Sequence, residues 1–180
     1  RWQGASLTMT NCAIVQNSAG DTGGGVFCGT NSSMTVAGCM ITENYAVNHG
    51  AGVMSWDSSS IVLSNCTITR NSSGSEEGAG FCGQNSFMTM INCTITENSA
   101  ASECGAILCW RNASVTISSS IIWGNIAPEK SEVRVRDGGT INISYSNVMG
   151  GQTAALIDSG TVNWGEGNIG ADPLFARLGY

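Results

Sequence analysis

The amino-acid sequence predicts an all-β parallel solenoid of about six coils, each of 27 residues with three short strands, and three observations carry that prediction. Side chains recur at one fixed spacing, apolar residues alternate within each repeat, and helix-forming residues are scarce. Cys12, Cys39, Cys66 and Cys93 stand 27 residues apart, as do Asn17, Asn44, Asn71, Asn98 and Asn125. Cys28, Ser55, Cys82 and Cys109 keep the same step. A period in the 20 to 50 residue range marks a repeat architecture.

The first strand of each coil is read from two apolar columns. Leu7, Met34, Ile61, Met88 and Val115 form one, and Met9, Val36, Leu63, Met90 and Ile117 form the other. Thr8, Thr35, Val62, Thr89 and Thr116 lie between them. Alternation with period two gives a strand with one buried face. Beyond the first Cys column, Ile14, Ile41, Ile68, Ile95 and Ile122 mark a second strand. A Gly-rich stretch (GGGVFC, GAGVMS, GAGFCG, CGAILC) supplies the third. Gly, Ser, Thr and Asn make up 78 of the 180 residues, all poor helix formers. Successive coils rise by about 4.8 Å, so six make a rod roughly 30 Å long. The three-sided right-handed parallel β-helix is the form these features fit best. Residues 1–149 form its coils, and residues 150–180 break the period as a cap or the start of a further coil, with Trp164 and Phe175 as plugs.

Stacked columns have structural explanations. The Asn17, Asn44, Asn71, Asn98, Asn125 column is expected to occupy left-handed turns and bond amide to amide. Asn11, Gly38, Asn65, Asn92 and Ser119 mark a second bend, where glycine permits a positive φ. Stacked cysteines sit side by side at coil spacing, farther apart than a disulfide prefers. Both Cys columns therefore read as free, buried thiols acting as small hydrophobes, with Cys104 outside them. Gln16, Glu43, Arg70 and Glu97 form an alternating surface ladder. No CxxC occurs and His49 is the single histidine, so no metal or cofactor is expected.

A net charge of −6, with 7 basic residues scattered along the chain, excludes a nucleic-acid stripe. No apolar run is long enough to span a bilayer. The chain opens at Arg1 and reads as a piece of something longer.

Several segments resemble known repeats. Gly105-Ala106-Ile107 is similar to the GGA(I/L/V) element of polymorphic outer-membrane protein repeats, and Ile14 to Asn17 and its later copies stand where that family has FxxN. A closer likeness is to bacterial right-handed parallel β-helix repeat proteins of the pectate-lyase-like superfamily. Asn65-Cys66-Thr67-Ile68, Asn92-Cys93-Thr94-Ile95 and the segment from Asn168 to Phe175 carry it. The resemblance implies the fold; lyases, hydrolases, epimerases and adhesins all use it. Enzymes of that superfamily place acidic clusters on the outer face of one sheet and its loops. Here the loops offer Asp21, His49, Glu76, Glu77 and Glu103.

One further column draws attention. Phe27, Met54, Phe81 and Leu108 recur in the Gly-rich strand, with Trp56 and Trp110 two places after two of them. With Val26, Ile107 and the Cys column inward, these residues face outward as an apolar stripe, the mark of an interaction site or a sugar-stacking surface. The expected role is that of a secreted or cell-surface structural or adhesive segment, with open coil ends that could stack into a fibre. Its partners would be further copies, a glycan or a surface protein. The alternative is part of a polysaccharide-binding or polysaccharide-degrading β-helix protein, a lyase or glycoside hydrolase if it is an enzyme.

Overall fold

The structure, a computed structural model, describes residues 4–75, 78–129 and 132–176. It is a parallel β-solenoid with the 27-residue period. Sheet 1 stacks seven strands: Ser6–Thr10, Ser33–Ala37, Ser60–Ser64, Phe87–Ile91, Ser114–Ser118, Gly139–Ser144 and Gly160–Trp164. Sheet 2 has six, from Ala13–Val15 to Asn147–Val148. Sheet 3 is a ladder of four two-residue strands that begins at Ser18–Ala19 and ends at Ser99–Ala100. Sheet 4 has six strands, from Val26–Gly29 to Ala155–Ile157.

Register follows the sequence columns. Leu7 pairs with Met34, Met34 with Ile61, Ile61 with Met88 and Met88 with Val115. A one-residue slip would turn each of these side chains to water, so the alternation fixes the register. Val36, Leu63, Met90 and Ile117 close the core from sheet 1, Ile41, Ile68, Ile95 and Ile122 from sheet 2, and Val26, Val53 and Ile107 from sheet 4.

The Asn column forms the expected ladder. Asn44 Oδ1 accepts from both the backbone N–H and Nδ2 of Asn17, at 3.0 and 2.9 Å, and Asn71, Asn98 and Asn125 repeat the pattern. The expected left-handed conformation at these asparagines is corrected. Positive φ falls one residue earlier, at Gln16, Glu43, Arg70, Glu97 and Gly124. Moving the strained residue outward leaves the Asn amide aimed into the stack, where it also donates to a carbonyl of the preceding coil, as Asn71 does to Ile41 at 2.9 Å. Asn11, Gly38, Asn65, Asn92 and Ser119 do carry positive φ.

The ladder ends on a carboxylate. Glu132 accepts from Asn125 Nδ2 at 2.7 Å and from its backbone N–H at 3.2 Å, and is only 4% exposed. Each ladder asparagine points its backbone N–H and one of its two side-chain N–H groups toward this end. An anion there is the side-chain counterpart of an acid at a helix N-terminus.

All eight cysteines are free, and all but Cys12 are buried. They do more than fill space. Cys39 Sγ accepts the Cys12 backbone N–H at 3.4 Å. Ser120 and Ser146 hydroxyls and the Asn168 amide take over the same role in later coils. Sulfur, hydroxyl and amide are interchangeable here because each turns one acceptor toward the N–H of the preceding coil.

Beyond residue 149 stacking continues. Gly151–Ala154 makes one 3₁₀ turn, Ala155–Ile157 adds to sheet 4, Gly160–Trp164 adds to sheet 1, and Ile169 bridges to Asn147. Trp164 packs on the core as expected of a plug, whereas Phe175 stays 44% exposed.

Candidate binding cleft on sheet 4

Strand alternation in sheet 4 turns Val26, Val53, Ile107 and the Cys28, Ser55, Cys82, Cys109 column to the core. It turns Phe27, Met54, Phe81 and Leu108 to the opposite side. Met54, Phe81 and Leu108 make a second apolar cluster, separate from the core, with Trp56 and Trp110 against it. The expected exposed stripe needs correction. Phe27 is 50% exposed, but Met54, Phe81 and Leu108 are buried. The two indoles cover them: Trp56 stacks on Phe81 at 5.6 Å between ring centroids, and Trp110 lies 6.0 Å from Phe81 and 5.9 Å from Trp56. Gly83, the coil position between the two tryptophans, leaves room for this. A Cβ there would stand 2.5 Å from Trp56 Cζ3.

Polar groups frame the rings. His49 stacks on Phe81 at 5.2 Å. Arg111 lies 3.9 Å above the Trp110 ring and Arg136 4.9 Å from it, both in cation–π range. Trp110 Nε1–H donates to Asp137. Together Asp21, Thr22, Phe27, His49, Met54, Trp56, Phe81, Trp110 and Arg111 line an open cleft of about 400 Å³. That volume lies in the range of small-molecule sites.

Arg111 was not singled out by the sequence reading. It belongs to a turn in which two successive residues have positive φ: Thr30 and Asn31, Asp57 and Ser58, Gln84 and Asn85, Arg111 and Asn112, Asp137 and Gly138. The signal was present as Asn31, Ser58, Asn85 and Asn112 at the 27-residue step. What the column does not reveal is that Arg111 folds back over Trp110.

The acidic cluster expected in the loops does not stand as a free group. Glu76 and Glu77 lie outside the described residues. Glu103 pairs with Arg136 at 2.5 Å and with Arg134 at 3.7 Å, and Arg134 also reaches Glu129 and Asp158 at 2.5 and 2.6 Å. This network occupies the outer face of sheet 4 just past Leu108, since Arg134 pairs in register with Leu108. His49 and Asp21 do reach the cleft.

Among the described residues, no group of three or more His, Cys, Asp or Glu is placed to hold a metal. No helix of the described residues is long and apolar enough to cross a membrane. Comparison with curated proteins and with solved structures returned no match. A family model, described as the right handed beta helix region, matches residues 2–122. With the stacked parallel sheets in place over those same residues, the chain belongs to the right-handed β-helix family.

Proposed function

We propose that the chain is a structural and adhesive β-helix segment of an extracellular or cell-surface protein, and that the cleft on sheet 4 holds a saccharide. The aromatic cleft is the observation that carries this reading. Phe27 and the edges of Trp56 and Trp110 offer apolar faces for pyranose rings, while Asp21, His49 and Arg111 offer hydrogen-bond partners at the rim. Only one described lining residue, Asp21, bears a carboxylate. Glycoside hydrolysis ordinarily uses two, which favours binding over cleavage.

The test is titration of the chain with neutral and acidic oligosaccharides, followed by intrinsic tryptophan fluorescence and calorimetry. Binding should shift the fluorescence, and Trp110→Phe and Phe27→Ala should each weaken the affinity by roughly 2- to 13-fold, since an aromatic contact contributes about 0.5–1.5 kcal/mol beyond its buried area. Oligosaccharides that all leave the signal unchanged would overturn the reading. Product release from a bound oligosaccharide would favour the enzymatic alternative.

Self-stacking is a second reading, with its own observation. In the first coil, Leu7 is 48% exposed and Met9 and Ile14 are only partly buried, although Ile61 and Met88, Val36 and Leu63, and Ile41 and Ile68 in the same columns of later coils are buried. This face has the shape of a coil and suits another coil, including one from a second copy. Sedimentation velocity across concentration checks it: end-to-end oligomers support stacking, and a strict monomer removes it.

A further inference from the structure

We propose that the cavity at the end of the asparagine ladder is a binding site for a small primary alkylammonium ion, with the Glu132 carboxylate as its counter-charge. The site exists because sheet 3 stops. Among the described residues its last contact is the bridge between Ser99 and Ile126, and the next coil passes the same place as the 3₁₀ turn Gly151–Ala154. A cavity of about 310 Å³ is left between the ladder and that turn, at the lower end of the range of small-molecule sites. Ile126, Ala127, Met149 and Ala154 give it apolar walls, and Asn125 and Glu132 supply its polar groups. Glu132 recurs in no column, so the repeat pattern carries no sign of this site.

Two observations suit the cavity to a cation. The first is a buried carboxylate without a counter-ion: Glu132 is 4% exposed and makes no ion pair among the described residues. A buried charge is costly unless it is paired, and a cation in the cavity offsets that cost. The second is a carbonyl without its donor. The carbonyl oxygens of Asn17, Asn44, Asn71 and Asn98 each accept a backbone N–H from the next coil, from Tyr45, Ser72, Ser99 and Ile126 at 2.8–2.9 Å. Asn125 holds the same place in its coil, but among the described residues the turn above presents no such N–H. The acceptors also narrow the class of cation. Asn125 grips both carboxylate oxygens as a fork, its backbone N–H on Oε1 at 3.2 Å and its Nδ2 on Oε2 at 2.7 Å. That leaves no open pair of oxygens for a guanidinium, which binds carboxylates through two parallel bonds. A hard metal ion takes about six or more oxygens, and no group of three or more His, Cys, Asp or Glu converges among the described residues. A carboxylate has about four lone-pair positions, of which Asn125 fills two and the Gly124 backbone approaches a third. An ammonium is a compact charge with three donors. It needs one position on Glu132, gives a second N–H to the Asn125 oxygen and lays its alkyl chain against Ile126 and Met149.

The test is calorimetric titration of the chain with n-hexylammonium and with n-hexanol, its uncharged counterpart, together with the methyl NMR signals of Ile126 and Met149. One equivalent of the ammonium is expected, with both methyl signals shifted. It should bind roughly 10- to 150-fold more tightly than the alcohol, the range of a hydrogen bond to a charged group. Glu132→Gln should remove that preference while the alcohol binds as before. Glutamine keeps one acceptor for Asn125, and the circular dichroism of the strands checks that the coils are intact. Ala154→Phe fills the cavity from the turn and leaves the carboxylate in place, so it should abolish binding of both probes. The cleft on sheet 4 shares no lining residue with this cavity, so neither site's result depends on the other. The proposal is overturned if the ammonium does not bind or binds no better than the alcohol. It is equally overturned if the preference survives Glu132→Gln, if binding survives Ala154→Phe, or if neither methyl signal moves.

Discussion

At the residue scale, Glu132 shows how an asparagine ladder is brought to an end. An asparagine ladder leaves two aligned donors at its last member, and here a buried carboxylate receives both. Glu132→Ala would leave one Asn125 side-chain N–H and its backbone N–H without an acceptor, while the other side-chain N–H keeps the Ile95 carbonyl oxygen, a loss of about 1–3 kcal/mol by the cost of stranded buried donors. Denaturant unfolding should show it as a lower midpoint with an unchanged slope. Burial pushes the Glu132 carboxyl up, outweighing the Asn125 hydrogen bonds that pull it down. The folded protein therefore holds this proton more tightly than the unfolded chain does. The associated stability is present in full below the unfolded value, about 4.3, and is lost as pH rises through the higher folded value. The stability of the wild type relative to Glu132→Gln should accordingly fall between pH 4 and the upper end of that window. A difference that stays flat over this range would contradict it.

At the scale of the element, two ladders with the same period differ in worth. Asn71 is fully buried and takes part in four side-chain hydrogen bonds: two accepted from Asn44, and two donated to Ile41 and Asn98. Arg70, its neighbour in sequence, pairs with Glu97 at 2.9 Å and Glu43 at 3.8 Å on the surface. Asn71→Ala should cost more than about 3 kcal/mol, because several buried groups lose their partners at once. Arg70→Ala should cost less than about 1 kcal/mol, since water and ions screen an exposed pair. Equilibrium unfolding of the two variants side by side decides this. Phe81 tells the same story for the outer cluster: it is fully buried beneath the indoles, so Phe81→Ala carries the roughly 3–5 kcal/mol penalty of a large aromatic cavity.

For the whole molecule, stability is close to one-dimensional, because each coil touches mainly its neighbours. Among the described residues, coils in the middle are paired on both sides, whereas the first is paired on one side and leaves Leu7, Val15 and Phe27 exposed. Amide hydrogen exchange should thus be slowest across the strands Ser60–Ser64, Phe87–Ile91 and Ser114–Ser118 and fastest in Ser6–Thr10. Equal protection in all four strands would mean that unfolding is global and that the end coil is held by something else.

Much of this architecture was legible in the sequence. A 27-residue period with strand alternation leaves little freedom: equal residues stack, one face is buried, and the inward set follows. The second bend, the buried thiols and the Asn ladder were readable for the same reason, since a repeat turns sequence position into spatial position. What depended on breaks in the repeat was not readable. Arg111 over Trp110, Trp56 laid back into the gap at Gly83, Glu103 drawn to Arg134 and Arg136, and Glu132 at the end of the ladder are each single events without column mates to announce them. The sequence by itself determined the solenoid and which residues share a column, because periodicity encodes register. Only the tertiary structure decided which outward side chains stay exposed and which lie beneath a neighbour, because long side chains choose their rotamers from the space that adjacent coils leave.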